Sequence, residues 1–187
     1  MVRILRNFPE SDRKPPCPVK RVQPCSVIPF LMSTNQVVES KVRAIFPTNA
    51  GCAVFLGNNE KVFVIYVDPA VGSAIAMTMK DMSRERPQTH DLISRIFQGL
   101  GAKVERVVVN DFHDGVFYGR LIIGMSNELG ETKIVEIDAR PSDCLAIALH
   151  EKSPIYVAQH VWNDMEDMSE ILCKMEDQDL GFSSDND

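Results

Sequence analysis

A chain of 187 residues, 44% hydrophobic and 25% charged, carries enough apolar material for one full core. Its net charge of −6 argues against a protein that holds nucleic acid by a general positive field, and no apolar run approaches the ~20 residues of a membrane span. Five cysteines, an odd number with no C-x-x-C pair, speak against a zinc knuckle or a disulfide framework; they read as reduced thiols, with Cys144 in the core. The expectation is a cytoplasmic protein without a membrane segment.

Charge is unevenly spread. Residues 1–34 hold six Lys/Arg against two acids, and residues 164–187 hold nine acids against one Lys, so the middle is nearly balanced and has room for a local basic site. Residues 1–35 contain Pro9, Pro15, Pro16, Pro18, Pro24 and Pro29, a composition that cannot sustain ladder or helix hydrogen bonds; they predict a flexible basic arm. Strand signals follow at Val37–Phe46, Ala53–Leu56 and Lys61–Val67, rich in β-branched and aromatic residues, then a helix over about Val71–Met82.

After a Pro-containing link, Thr89 is a candidate N-cap, and Leu92, Ile93, Ile96, Phe97 and Leu100 recur at helical spacing before Gly101, which predicts an amphipathic helix covering a sheet. Strands resume at Val104–Phe112, Val116–Met125 and Thr132–Asp138. A helix over Pro141–Glu151 and a short strand at Ile155–Ala158 complete the domain, expected over residues 36–161. In residues 162–187, Trp162, Met165, Met168, Leu172 and Met175 form an apolar stripe among acids, predicting a short helix packed on the core or on a neighbouring subunit, then an acidic tail.

Shifted by 70 residues, the chain meets itself: Val67 falls on Ile137, Asp68 on Asp138, Ala74 on Cys144 and Ala76 on Ala146. Each copy reads strand, strand, strand, helix, so the predicted fold is α+β, with duplicated β-β-β-α units forming a mixed sheet core packed with helices. Both repeat helices are apolar nearly all round, which requires cover from the sheet and from another helix or subunit.

The copies differ where their helices start. The first reads Asp68-Pro-Ala-Val-Gly-Ser73 and the second Asp138-Ala-Arg-Pro-Ser-Asp143. Pro141 suits a first helical turn, placing Ser142 and Asp143 beside exposed backbone N–H groups where an anion such as phosphate could be held with Arg140. An acid in a first turn also simply favours the helix dipole, and an Arg beside acids can be an ordinary ion pair. A second cluster, Arg84, Arg86, Thr89, His90 and Asp91, gathers at the start of the middle helix. A third, Asn110, Asp111, His113 and Asp114, surrounds the turn at Gly115, where turn chemistry alone explains such residues. No phosphate loop, zinc signature, G-x-S-x-G elbow or dinucleotide fingerprint occurs.

The segments Arg86-Pro-Gln-Thr-His-Asp-Leu92, Asp114-Gly-Val-Phe-Tyr-Gly119 and Asp138-Ala-Arg-Pro-Ser-Asp-Cys-Leu-Ala-Ile-Ala148 resemble, in that order, the bifunctional nuclease family, over roughly Val37–Val161. Cys144 stands where the family often has Ala. The resemblance implies an α+β domain, usually a homo-oligomer, that hydrolyses DNA and RNA with little sequence preference. For such a reaction Arg140 and the helix amides would stabilise phosphoryl charge, His90 would act as acid or base, and Asp143 would complete the catalytic group. Arg86, Thr89 and Ser142 are the substrate-binding candidates. Asp91, Asp138 and Asp143 are the candidate ligands for Mg²⁺ or Mn²⁺, which favour carboxylate oxygen. The alternative is a non-catalytic oligomeric module binding nucleic acid or a nucleotide through the same charges.

Overall fold

The computed structural model describes residues 37–82, 85–126 and 132–181; the predicted arm at 1–35, Arg84 and the acidic tail after Gly181 lie outside the described residues. Among these residues seven strands and five helices follow in the order β1 (Val37–Thr48), β2 (Gly51–Gly57), β3 (Val62–Val67), α1 (Pro69–Met79), α2 (Thr89–Gly99), β4 (Ala102–His113), β5 (Val116–Ser126), β6 (Thr132–Ala139), α3 (Pro141–Glu151), β7 (Ile155–Ala158), α4 (Gln159–Asp164) and α5 (Ser169–Gly181). The α+β expectation holds: one mixed sheet, ordered β3-β2-β1-β7-β4-β5-β6, carries the helices.

Each β-β-β-α unit begins with an antiparallel meander, because short turns can join only antiparallel neighbours. In the second unit, His113 pairs with Val116 across Asp114 and Gly115, both at positive φ (50° and 76°), the left-handed pair that matches the twist of a two-residue hairpin. β7 joins the halves, antiparallel to the first four residues of β1 and parallel to β4. The rest of β1 pairs with β2 after a register shift between Val42 and Ala44, and β4 carries two such shifts. Bulges sharpen twist and bend strands, so the sheet curls strongly. Phe63 of β3 and Phe117 of β5, with four strands between theirs in the sheet order, come to 6.1 Å between ring centroids.

The apolar repeat helices are covered as their composition demands: α1 packs on α3, and α2 packs on α3 from another side. Ile75 of α1 and Leu145 of α3 are fully buried within the main core. Truncating Leu145 to Ala would cost about 2–5 kcal/mol, since such a site can only partly collapse around the void.

The structural repeat, a shift of 72 residues, differs by two from the shift of 70 that the sequence suggests. α1 opens at Pro69 and α3 at Pro141, and β3 and β6 end at Val67 and Ala139. The counterpart of Asp68 is therefore Arg140, not Asp138. Packing supports this register through a reciprocal exchange. In the first unit a helix glycine, Gly72, lies against Cys52 of β2, so closely that a Cβ would collide with that side chain. In the second unit the cysteine is on the helix and the glycine on the strand: a Cβ on Gly119 would meet Cys144 Sγ at 3.1 Å. Cys52 pairs with Val67 and Gly119 with Ala139, so the two contacts are equivalent.

The first repeat helix runs from Pro69 to Met79 rather than 71–82, because Asp68 caps it: its carboxylate accepts from the N–H groups of Ala70 (3.0 Å) and Val71 (3.1 Å). The C-terminal stripe forms two helices. Trp162 of α4 meets Phe63 edge-on at 6.1 Å, while Met168, Leu172 of α5 and Met175 pack on Ala53, Phe55 and Val62. The start of α5 is fixed to the edge strand β3, where Met168 N–H donates to Val62 C=O (2.7 Å) and Asp167 accepts from Val62 N–H (3.3 Å). Cys52, Cys144 and Cys173 are free thiols, and Cys144 is buried as expected. No helix among the described residues is long and apolar enough to cross a membrane.

Candidate functional site

The equivalent starts of α1 and α3 lie side by side and differ in who satisfies the first-turn amides. At α1 Asp68 does so itself. At α3 the N-cap position is held by Arg140, which contributes no capping hydrogen bond, and Pro141 follows at the first helical position. The N–H groups of Ser142 and Asp143 thus open the helix without a side-chain cap, in the partial positive field of the helix end.

Arg140 is two-thirds exposed and faces three carboxylate oxygens. Its Nε donates to Asp143 Oδ2 (2.8 Å) and its Nη2 to Asp143 Oδ1 (3.1 Å), a bidentate fork, and its Nη1 lies 3.8 Å from Asp68 Oδ2. Bonding to Asp143, then the Asp143 charge itself, holds the guanidinium above its usual range. His90 arrives from α2. Its Nε2 lies 3.5 Å from Asp143 Oδ1, with its side chain 13% exposed. Asp143 therefore sits between a cation and an imidazole supplied by a helix 53 residues away in the chain.

Of the residues singled out in the sequence, the structure brings together His90, Arg140, Asp143 and the buried Ser142. Thr89 is exposed and is the first helical residue of α2, not its cap; the cap position belongs to Gln88. Arg86 is exposed in the link before α2.

The three carboxylates weighed as metal ligands do not converge. Asp91 is buried and engaged twice: Oδ2 accepts the Gln88 N–H (2.7 Å), and Oδ1 lies 2.9 Å from His150 Nε2. Asp138 is exposed and pairs across the strands with Arg120, whereas Gly119 and Ala139 occupy the α3 side, so alternation puts Asp138 on the opposite face of the sheet. Asp143 is paired with Arg140, with neither Asp91 nor Asp138 beside it. Among the described residues no group of three or more His, Cys, Asp and Glu side chains is arranged to hold a metal ion, so these residues do not fit a shared Mg²⁺ or Mn²⁺ site.

The turn cluster is local: His113 Nε2 lies 3.2 Å from Asp114, and Asp111 accepts the Phe112 N–H (2.8 Å) and lies 3.5 Å from His160. Two participants were missed. Asp68 is readable only once Arg140 is recognised as its counterpart, and His150 stands at the far end of α3 with no motif to mark it. Arg120, held above its usual range chiefly by its hydrogen bond to Glu136 (2.7 Å), stands with Asp138 on the opposite face. Cys144, directly after Asp143, is pushed up to about 12, by burial first and then by Asp143 and Asp138, so it is a packed thiol and no nucleophile.

A family model described as the bifunctional nuclease domain matches residues 54–170, more than half of the chain, spanning α2, the α3 start and their supporting strands. This chain belongs to the bifunctional nuclease domain family. Two uncharacterized proteins of Mycobacterium tuberculosis, MT1877 of strain CDC 1551 / Oshkosh and Rv1829 of strain ATCC 25618 / H37Rv, are each 34% identical to it over 104 residues. The shared stretch covers 56% of this chain and 58% of each relative. Within the bifunctional nuclease domain, the matched segment contains every member of the Arg140, Asp143, His90 and Asp68 group.

Proposed function

We propose that this chain hydrolyses phosphodiester bonds of DNA and RNA with little sequence preference, at the start of α3. The observation that carries the reading is the uncapped helix start: the first-turn N–H groups of Ser142 and Asp143 receive no side-chain cap and stand beside the exposed Arg140, a combination suited to phosphoryl oxygens. These groups read a phosphate and no base edge, which is consistent with indifference to sequence.

In the free protein Arg140 is turned to Asp143 and Asp68. Exposed ion pairs are weakly held, so a phosphate can draw the guanidinium away at little cost. Asp143 then keeps its second role as the acceptor that orients His90, and His90 passes a proton between the attacking or leaving oxygen and solvent. Arg140 and the two amides hold the charge gathering on the non-bridging oxygens. No step is assigned to a metal, because Asp91 is engaged elsewhere and Asp138 faces the other side of the sheet, so neither joins Asp143.

We also propose that the chain self-associates. Ile93 and Phe97 of α2 pack on the core, but Leu92, Ile96 and the C-cap Leu100, spaced along the adjoining side, are 52%, 49% and 65% exposed. A second copy is the cover we assign to that stripe. Ile96→Asp should lower the sedimentation coefficient, and an unchanged value would remove this assignment.

The nuclease reading is tested by incubating the protein and Arg140→Ala with labelled single-stranded RNA and DNA, in EDTA, Mg²⁺ or Mn²⁺. Cleavage by the wild type that the variant loses is the expected result. Binding without cleavage in every arm would favour the non-catalytic module, and equal cleavage by the variant would move the site elsewhere.

A further inference from the structure

We infer that His150 is a positioning residue for His90, acting from the opposite end of α3 through Asp91; the inference rests on the proposed role of His90. Asp91 follows His90 in the first turn of α2, so whatever fixes its carboxylate also fixes the backbone that aims the imidazole. Two groups do so. The Gln88 N–H donates to Asp91 Oδ2 within α2 (2.7 Å), and His150 Nε2 lies 2.9 Å from Oδ1. His150 is seven positions beyond Asp143 on α3, roughly 10 Å along the axis. The first turn of α2 is thereby gripped by α3 at two points, His90 by Asp143 near one end and Asp91 by His150 near the other.

Three observations make this grip more than a surface pair. Asp91 is buried, so losing one of its partners there would be costly. The Nδ1 of His150 and the Oε1 of Glu151 are both cut off from solvent without a hydrogen-bond partner and stand 3.6 Å apart, which confines the ring from its other side. And the His90–Asp143 contact is long, at 3.5 Å, so it cannot by itself set the angle of α2. A displacement of about 1 Å at a reacting group can cost on the order of a hundredfold in rate. His150 stands in the last turn of α3, away from the proposed phosphate site at its start, and so would govern turnover by geometry alone.

The test compares His150→Gln with His150→Ala in the full chain. Gln can place an amide N–H near the Nε2 position and keep the bond to Asp91, whereas Ala cannot; neither carries the charge that would favour a helix C-terminus. Positioning predicts that His150→Ala lowers kcat by roughly ten- to a hundredfold with little change in KM, and that His150→Gln restores most of it. Both variants failing equally would assign His150 to helix stabilisation and overturn the inference. If His150→Ala does not fold, His150→Asn replaces it, being too short to reach Asp91. Imidazole NMR of His90 gives a readout independent of activity: its signals should move in the Ala or Asn variant and stay in place in the Gln variant. Unmoved His90 signals in all variants would overturn the inference even in an active enzyme. A wild type that cleaves nothing would instead defeat the nuclease reading and leave this NMR comparison to decide the positioning role.

Discussion

The starts of α1 and α3 are the same local structure built twice, a strand end, one linking residue and a proline at the first helical position. Asp68 at the first satisfies the helix amides, and Arg140 at the second leaves them open. One residue thus separates a capped helix start from the uncapped one to which we assign the phosphate. The lesson is that in a duplicated fold the informative position is the one where local stability has been given up in only one copy.

The largest effects should come from breaking the open junction. His90→Ala removes the only imidazole beside Asp143 among the described residues and should reduce kcat by about 10²–10⁴-fold, the range for a lost general acid or base, checked by single-turnover cleavage. Arg140→Asp would give α3 the cap that α1 has. Cleavage should vanish while the melting temperature rises, the opposite of what removal of a structural ion pair would produce.

Smaller effects should come from the scaffold shared by the two units. Gly72→Ala forces a methyl group against Cys52 and should cost about 1–3 kcal/mol in denaturant unfolding, with Cys52→Ala in the same chain recovering part of it. Asp68→Ala removes the cap of α1 and should cost about 1 kcal/mol while leaving cleavage within a few-fold of wild type.

A further effect is confined to alkaline pH. The Cys144 thiol is raised to about 12 in the folded chain against an unfolded value near 8.5, so the folded state holds this proton more tightly. Its contribution is complete below about pH 8.5 and is lost as pH rises toward 12. Cys144→Ala should flatten that alkaline decline in stability without altering the pH profile of cleavage, and in the native protein an alkylating reagent should reach the exposed Cys173 well before Cys144.

Much of this architecture could be read from residue pattern. Strands announced themselves through runs such as Val62–Val67, and α3 through Pro141 and an apolar run that needed cover on several sides. The same patterns could not give the curl of the sheet, which depends on bulges and brings Phe63 to Phe117. Nor could they give the true repeat register, because matching Asp68 with Asp138 keeps like with like while the helix starts pair Asp68 with Arg140. The stripe on α2 was read as one covering face, yet Leu92, Ile96 and Leu100 point away from the core, since spacing alone does not say how wide the contact is.

At the site, Arg140, Ser142 and Asp143 were readable because they are neighbours in the chain and the helix geometry follows from Pro141. His90 was singled out for its place at a helix start, but its meeting with Asp143 is a long-range consequence of α2 packing on α3. Asp91 was weighed as a metal ligand because carboxylates look alike in a sequence. Only packing reveals that one is a buried anchor for His150 and another, Asp138, faces the far side of the sheet.

The most direct test of the difference between the two helix starts is an amide NMR titration of the full chain with inorganic phosphate and with a short single-stranded oligonucleotide. The N–H signals of Ser142 and Asp143 should shift with both ligands while those of Ala70 and Val71, capped by Asp68, should not. Equal shifts at the two helix starts, or no shift at Ser142 and Asp143, would contradict that difference.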